Sequence, residues 1–294
     1  MKLLDGKIVS TAIKAEIKEE VNKLLQKSKR VPHLVAILVG ENGASKTYVQ
    51  NKSKNCNEVG FKSTVINFEN TITQDELIGK IKELNMDSLV DGILVQLPLP
   101  SHINEQVIVS AIDPAKDVDG FHPFNVGKLV LGNADFISAT PLGIMLILEY
   151  YNIETAGKNT VVIGRSNIVG RPISILMNQS RDFGNSTVTI CHSKTNNIKN
   201  ICLQADIIIV ALGVPNFLTE DMVKQGVVVI DVGITRVVDS TKPLGYSIIG
   251  DVAFDKVSPK CSFISPVPGG VGLMTIAALL KNTFKAYKNQ NHFD

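Results

Sequence analysis

Short apolar runs recur along this chain, separated by longer amphipathic segments. Residues 34–39 end at Gly40, residues 65–68 form a second run, and residues 92–97 are stopped by Pro98 and Pro100. Between them lie helical patterns. Ile13, Ile17, Val21 and Leu24 share one face, a polar stretch over 46–59 closes at Gly60, and Thr73 with Glu76 forms a capping box ahead of Leu77, Ile81 and Leu84. Strands alternating with helices predict a parallel sheet covered by helices, an α/β fold. A second series begins near Lys158, with strands predicted at 160–163, 187–191, 207–212 and 227–232.

A length of 294 residues fits two domains. The boundary is expected near residue 150, giving domains over 1–150 and 151–272. A last helix (273–294) should cross back to complete the first. It follows the turn Pro268-Gly269-Gly270-Val271-Gly272. Thr140 and Pro141 are read as the N-cap and first residue of a helix reaching about Tyr151. The loop over 113–127 is long enough to expect a functional role.

Composition excludes several classes. A formal net charge of +2 gives no basis for binding nucleic acid or a membrane surface. Neither a signal peptide nor a membrane span is recognisable. The four cysteines (Cys56, Cys191, Cys202, Cys261) form no C-x-x-C pair and fit a reducing compartment, so the cytoplasm is expected. The histidines lack zinc-site spacing and no G-x-S-x-G elbow occurs, so neither a metal site nor a serine hydrolase is expected.

The sharpest local motif runs from Thr160 to Gly170, where an apolar strand enters Gly164-Arg165-Ser166 and then Val169-Gly170. Backbone amides at such a turn hold a pyrophosphate. The match to G-x-G-x-x-G is imperfect, because Ser166 replaces the middle glycine and the last glycine comes one place late. Sites that prefer NAD carry a carboxylate about 20 residues on. Here the second strand ends in Cys191-His192-Ser193-Lys194, with none. Arg165, His192, Ser193 and Lys194 would attract a 2′-phosphate instead, which favours NADP.

Outside that motif, Tyr48 and Lys52 lie four apart on a predicted helix and share a face. A lysine beside a phenol is a candidate base, and a solvated helix face is the alternative. Gln96 is polar within an apolar strand, so it either finds structural partners or points at a ligand from the strand's carboxyl end. Asp117 and Asp119 read as an Asx turn or as ligand contacts. The pattern lacks the remaining ligands of a calcium loop.

These segments together resemble the bifunctional methylenetetrahydrofolate dehydrogenase/cyclohydrolase family over nearly the whole chain. The matching stretches are Val39-Gly40-Glu41-Asn42 with Ser45, Tyr48 and Lys52; 92–100 around Gln96-Leu97-Pro98; Lys116-Asp117-Val118-Asp119-Gly120-Phe121; the Gly164 turn; and 266–272 with Met274-Thr275. The resemblance implies an N-terminal α/β catalytic domain, a C-terminal Rossmann-like parallel-sheet NADP domain, an active site in the cleft between them, and a homodimer formed through the cofactor domain. Two reactions are implied: 5,10-methylenetetrahydrofolate gives a hydride to NADP, and water then opens the methenyl cation to 10-formyltetrahydrofolate. By position, Lys52 is the central residue of hydrolysis, Gln96 holds it, Tyr48 stacks on or orients the folate, and Asp119 binds the amino-pyrimidine edge of the pterin. Leu97, Pro268, Gly269 and Gly270 join the substrate set. Gly164, Arg165, Ser166, Val169, Gly170, His192, Ser193, Gly213 and Ile234 form the cofactor set. The chain departs from the common pattern at Ala139, Ala253 and Leu273. Two other readings stay open: an NAD-preferring dehydrogenase with little cyclohydrolase activity, and a non-catalytic dinucleotide-binding regulator.

Overall fold

The computed structural model describes residues 1–242 and 245–292. Strand β1 (Lys2–Leu3) leads into helix α1 (Gly6–Gln26), whose first amides are capped by Asp5 Oδ1 at 2.7 Å from Lys7 N and 3.2 Å from Ile8 N. Then follow β2 (His33–Val39), α2 (Gly43–Glu58), β3 (Lys62–Phe68), α3 (Gln74–Met86), β4 (Gly92–Val95), α4 (Glu105–Ala111), α5 (Pro123–Val130) and α6 (Ala139–Tyr150). The remainder is β5 (Asn159–Ile163), α7 (Gly170–Asn178), β6 (Thr187–Cys191), α8 (Ile198–Gln204), β7 (Ile207–Val210), β8 (Val227–Asp231), the hairpin β9 (Thr235–Val238) and β10 (Tyr246–Ile249), α9 (Phe254–Val257), β11 (Cys261–Ile264) and α10 (Val271–Gln290).

Two compact units result, one of Met1–Thr11 with Thr140–Thr275 and one of Ala12–Ala139 with Ile276–Asp294. The division therefore differs from the expected boundary near residue 150. Met1–Thr11 belong to the dinucleotide-type unit because β1 pairs in parallel with β11, Leu4 N donates to Ile264 O at 2.8 Å and Gly6 N to Gly269 O at 2.9 Å. A two-residue strand has no periodicity to read.

In the unit built on Ala12–Ala139, the sheet order is β3-β2-β4, all parallel. All of β2 is buried, as a central parallel strand demands. Val35, Ile37, Ile93 and Val95 pack on Leu77, Ile81 and Leu84 of α3. The α3 capping box is present, with Glu76 N on Thr73 Oγ1 and Thr73 N on Glu76 Oε2. At the other end of α3, buried Lys116 donates to Leu84 O (3.0 Å) and Asp87 O (2.7 Å). Three expectations are corrected. Strand β4 ends at Val95, leaving half-buried Gln96 beyond it, although Gln96 N still donates to Ile37 O, because the prolines that follow offer no N–H. The long loop ends at His122, whose Nδ1 caps α5 by accepting from Phe124 N, with Pro123 at the first helical position. Thr140 lies inside α6 and its hydroxyl meets Thr275 Oγ1 at 3.1 Å, so it is no N-cap.

The other unit carries a six-stranded parallel sheet in the order β6-β5-β7-β8-β11-β1. The winding direction reverses between β5 and β7. In open α/β sheets ligands bind at the carboxyl ends of strands at such a switch point. Among the described residues no helix is long and apolar enough to cross a membrane.

Candidate active site

The loop after β2 delivers α2 so that Tyr48 and Lys52, one turn apart, sit near the carboxyl end of the three-stranded sheet. Lys52 is only 6% exposed. Its Nζ donates to Gln96 Oε1 at 3.3 Å and stands 5.8 Å from the centre of the Tyr48 ring. Gln96 spends its NH2 on Leu97 O at 2.7 Å, which leaves its carbonyl oxygen facing Lys52 Nζ. Burial pushes the Tyr48 phenol above its ordinary value and the nearby Asp119 carboxylate adds to this, so the phenol is a neutral donor at pH 7. One turn beyond Lys52, burial pushes the Cys56 thiol up to about 12, which removes it as a nucleophile.

Asp119 is buried, yet its carboxylate has no hydrogen-bond or ion-pair partner among the described residues. Its neighbour Asp117 behaves in the opposite way. That side chain accepts from Phe121 N (3.2 Å), His122 N (2.8 Å) and Asn125 Nδ2 (2.8 Å). Of the two readings of this aspartate pair, the turn belongs to Asp117, and Asp119 is the acceptor left over. Asn125 escaped the sequence reading, since a lone asparagine in a loop carries no signal until its partners are known.

In the other unit, Gly164 follows β5 with φ +127°, and a Cβ there would fall 2.3 Å from Ala211 O after β7. A Cβ on Gly170 would fall 2.3 Å from Gly164 O. Both positions need glycine because backbone closes on backbone, across the switch point at Gly164 and within the turn at Gly170. Ser166 Oγ accepts from Val169 N and Gly170 N at 3.2 Å, doing for the turn what a middle glycine cannot. Gly164 N donates to Cys191 O at 2.9 Å, so the loops after β5 and β6 run side by side. Arg165, Ser193 and Lys194 are exposed and His192 is half-buried. His192 Nδ1 accepts from Lys194 N, which makes Nε2 the protonated nitrogen. Gly213, Ile234 and Val169 line an open recess with Ser166 and Asp251. Asp251 Oδ2 fixes the loop after β7 by accepting from Leu212 N (2.7 Å) and Gly213 N (2.9 Å). This glycine cradle with cations beside it fits a phosphorylated dinucleotide. Pro268, Gly269 and Gly270 lie in this same unit, with Gly269 and Gly270 packed against Gly6, and not in the unit that holds Tyr48, Lys52, Gln96 and Asp119.

Comparison with known proteins matches both halves of this arrangement. Residues 4–119 match the catalytic-domain model, and residues 138–291 the NAD(P)-binding-domain model, of tetrahydrofolate dehydrogenase/cyclohydrolase. The chain belongs to the tetrahydrofolate dehydrogenase/cyclohydrolase family. It is 61% identical over 288 residues to the bifunctional protein FolD of Flavobacterium johnsoniae, covering 98% of each chain. It is 58% identical to that of Porphyromonas gingivalis, covering 98% of this chain and 97% of the relative. Among solved structures, the bifunctional enzyme FolD of Campylobacter jejuni aligns with a TM-score of 0.92 at 51% identity, over 98% of this chain and 99% of that one. The Trypanosoma brucei enzyme, complexed with NADP cofactor and inhibitor, aligns with a TM-score of 0.92 at 38% identity, over 97% and 96%.

Within this family frame, the departure at Ala253 is intelligible, because its half-buried side chain packs against the core of the dinucleotide unit. Nothing in the structure explains Leu273, which is 39% exposed. The same unit holds a buried carboxylate that sequence reasoning did not single out. Asp231 accepts from Gly233 N and Asp251 N at 2.9 Å and Val252 N at 3.0 Å. Burial outweighs these donors and, with the Asp251 carboxylate adding, raises its carboxyl to about 6. Between pH about 4 and about 6 the folded state therefore binds a proton that the unfolded chain has released. The stability this group contributes is complete below that window and is lost as pH rises through about 6. Carbon-13 NMR of the Asp231 carboxyl is expected to show a midpoint near pH 6, and an ordinary midpoint near 4 would refute the assignment.

Proposed function

We propose that the chain performs both reactions that name its family: NADP-dependent oxidation of 5,10-methylenetetrahydrofolate to the 5,10-methenyl cation, and hydrolysis of that cation to 10-formyltetrahydrofolate. The supporting observation is a buried lysine, held by Gln96 beside a neutral tyrosine, next to a carboxylate with no partner among the described residues. In this reading Asp119 accepts from the N–H donors of the pterin edge, and Leu97 flanks the ring. The Tyr48 ring orients the folate. When bound, NADP takes up the hydride. For hydrolysis, water adds to the carbon bridging N5 and N10, and Lys52, acting as the neutral amine that the positive charge of the substrate favours, takes a proton from it. The bond to N5 then breaks as the added hydroxyl becomes the formyl carbonyl, and N5 keeps the electron pair and gains the proton that the hydroxyl gives up. Gln96 keeps the Lys52 Nζ directed at this carbon. NADPH formation from 5,10-methylenetetrahydrofolate, followed by decay of methenyl absorbance, tests both steps. Absence of either removes that activity.

Gly164, Ser166, Val169 and Gly170, with Gly213 and Ile234, would hold the dinucleotide, and Pro268, Gly269 and Gly270 are read as part of the substrate set. Arg165, His192 and Ser193 hold the 2′-phosphate. Arg165→Ala is expected to cost NADP about tenfold in kcat/KM, the value of one charge-assisted hydrogen bond, and to change NAD turnover by less than about twofold. Wild-type turnover with NAD as good as with NADP would contradict this assignment. We further read the enzyme as a cytoplasmic homodimer. Four buried free thiols fit a reducing compartment. Strand β6, at the sheet edge, leaves Thr187, Thr189 and Ile190 exposed for a second copy to cover. Sedimentation at a monomer mass would refute the dimer.

A further inference from the structure

We propose that Asp117 is the positioning residue for Asp119, holding the pterin-binding carboxylate in register with the strand that ends in Gln96. This deepens the folate-site reading and rests on it. Residue 117 forms a parallel bridge with Ile93 of β4, and Ile93 N donates to Lys116 O at 2.8 Å. Gln96 lies three residues further along that chain segment, and Asp119 two residues beyond the bridge on the other. From the bridge the chain turns sharply at Gly120, whose φ is +70° and where a Cβ would fall 2.6 Å from Ser138 N. The Asp117 carboxylate, only 1% exposed, reaches across this turn to the amides of Phe121 and His122. Asp119 thus sits in a short loop tied at its start by a strand bridge and at its end by a buried carboxylate.

Asn125 completes the frame. It spends both amide hydrogens, one on Pro114 O at 3.0 Å and one on Asp117 Oδ2, while its Oδ1 is buried without a partner among the described residues. An idle buried acceptor is destabilising, so this position keeps an amide for its two donors. Burying a carboxylate is likewise costly, and Asp117 is tolerated because three donors converge on it. These groups make no direct contact with a ligand in this scheme. They set where the Asp119 oxygens stand, and small displacements of a binding group are costly.

The test is a double-mutant cycle on the full chain, with KM measured separately for 5,10-methylenetetrahydrofolate and NADP. Asp119→Asn removes the negative charge and one of the two acceptor oxygens. Asp117→Ala is expected to raise the folate KM about tenfold while the NADP KM stays within about twofold. Asp117→Asn, which keeps one acceptor oxygen, should fall between Asp117→Ala and wild type. Combining either Asp117 variant with Asp119→Asn should add little to Asp119→Asn alone, because Asp117 acts through Asp119. Additive losses, equal rises in both KM values, or an unchanged folate KM in Asp117→Asn and Asp117→Ala would each overturn the proposal. If Asp117→Ala does not fold, the Asp117→Asn cycle decides. An unchanged folate KM in Asp119→Asn alone would instead sink the folate-site reading, and the positioning role with it.

Discussion

Replacing Lys52 by alanine is expected to lower methenyltetrahydrofolate hydrolysis by about 10²- to 10⁴-fold, the usual contribution of a positioned proton-transfer group. Alanine is the best helix former, so α2 should persist and the loss should not reflect unfolding. Gln96→Ala should give a smaller loss, since it frees Nζ from its 3.3 Å contact without removing it. The Cys56 thiol one turn away is protonated and cannot take over. Following methenyl absorbance at fixed pH for both variants checks this. Hydrolysis by Lys52→Ala at more than about a tenth of the wild-type rate would mean that another group handles the proton.

A second large effect is expected far from the chemistry. Arg30 forms a two-pronged ion pair with Asp91, at 2.6 Å and 2.7 Å, and Asp91 is fully buried. The same carboxylate accepts from His33 N, and the guanidinium lies 4.8 Å from the centre of the Tyr287 ring on α10. Tyr287 Oη donates to Arg30 O, and Gln290 Nε2 to Asp91 O, so one cluster ties α10 to the segments flanking β2 and β4. Arg30→Met keeps bulk over the ring but strands a buried carboxylate, and about 3–5 kcal/mol of stability should be lost. The double variant Arg30→Met with Asp91→Leu should recover part of that loss, because it removes the uncompensated charge as well. Urea melts of the three proteins decide the matter. A double variant no better than Arg30→Met would show that packing on Tyr287, and not charge pairing, carries the effect.

Elements whose physics is local are legible in the chain of residues alone. The apolar run of β2 is long and uninterrupted, the capping box at Thr73 is complete within four residues, and the Gly164 turn joins a strand to a helix. Each needs only near neighbours to be recognised. The family resemblance rested on the same short segments, and through them Tyr48, Lys52, Gln96 and Asp119 were legible as candidates. Contacts between residues distant along the chain were decided only by tertiary structure. Strand β1 exists because β11 offers it a parallel edge, which placed Met1–Thr11 in the dinucleotide unit. Thr140 looked like a cap, but Thr275 engages its hydroxyl. Asp117 and Asp119 look alike in the sequence, and three donors converge on the first but none on the second among the described residues. Burial and partner count set a polar side chain's role, and both are properties of the folded chain.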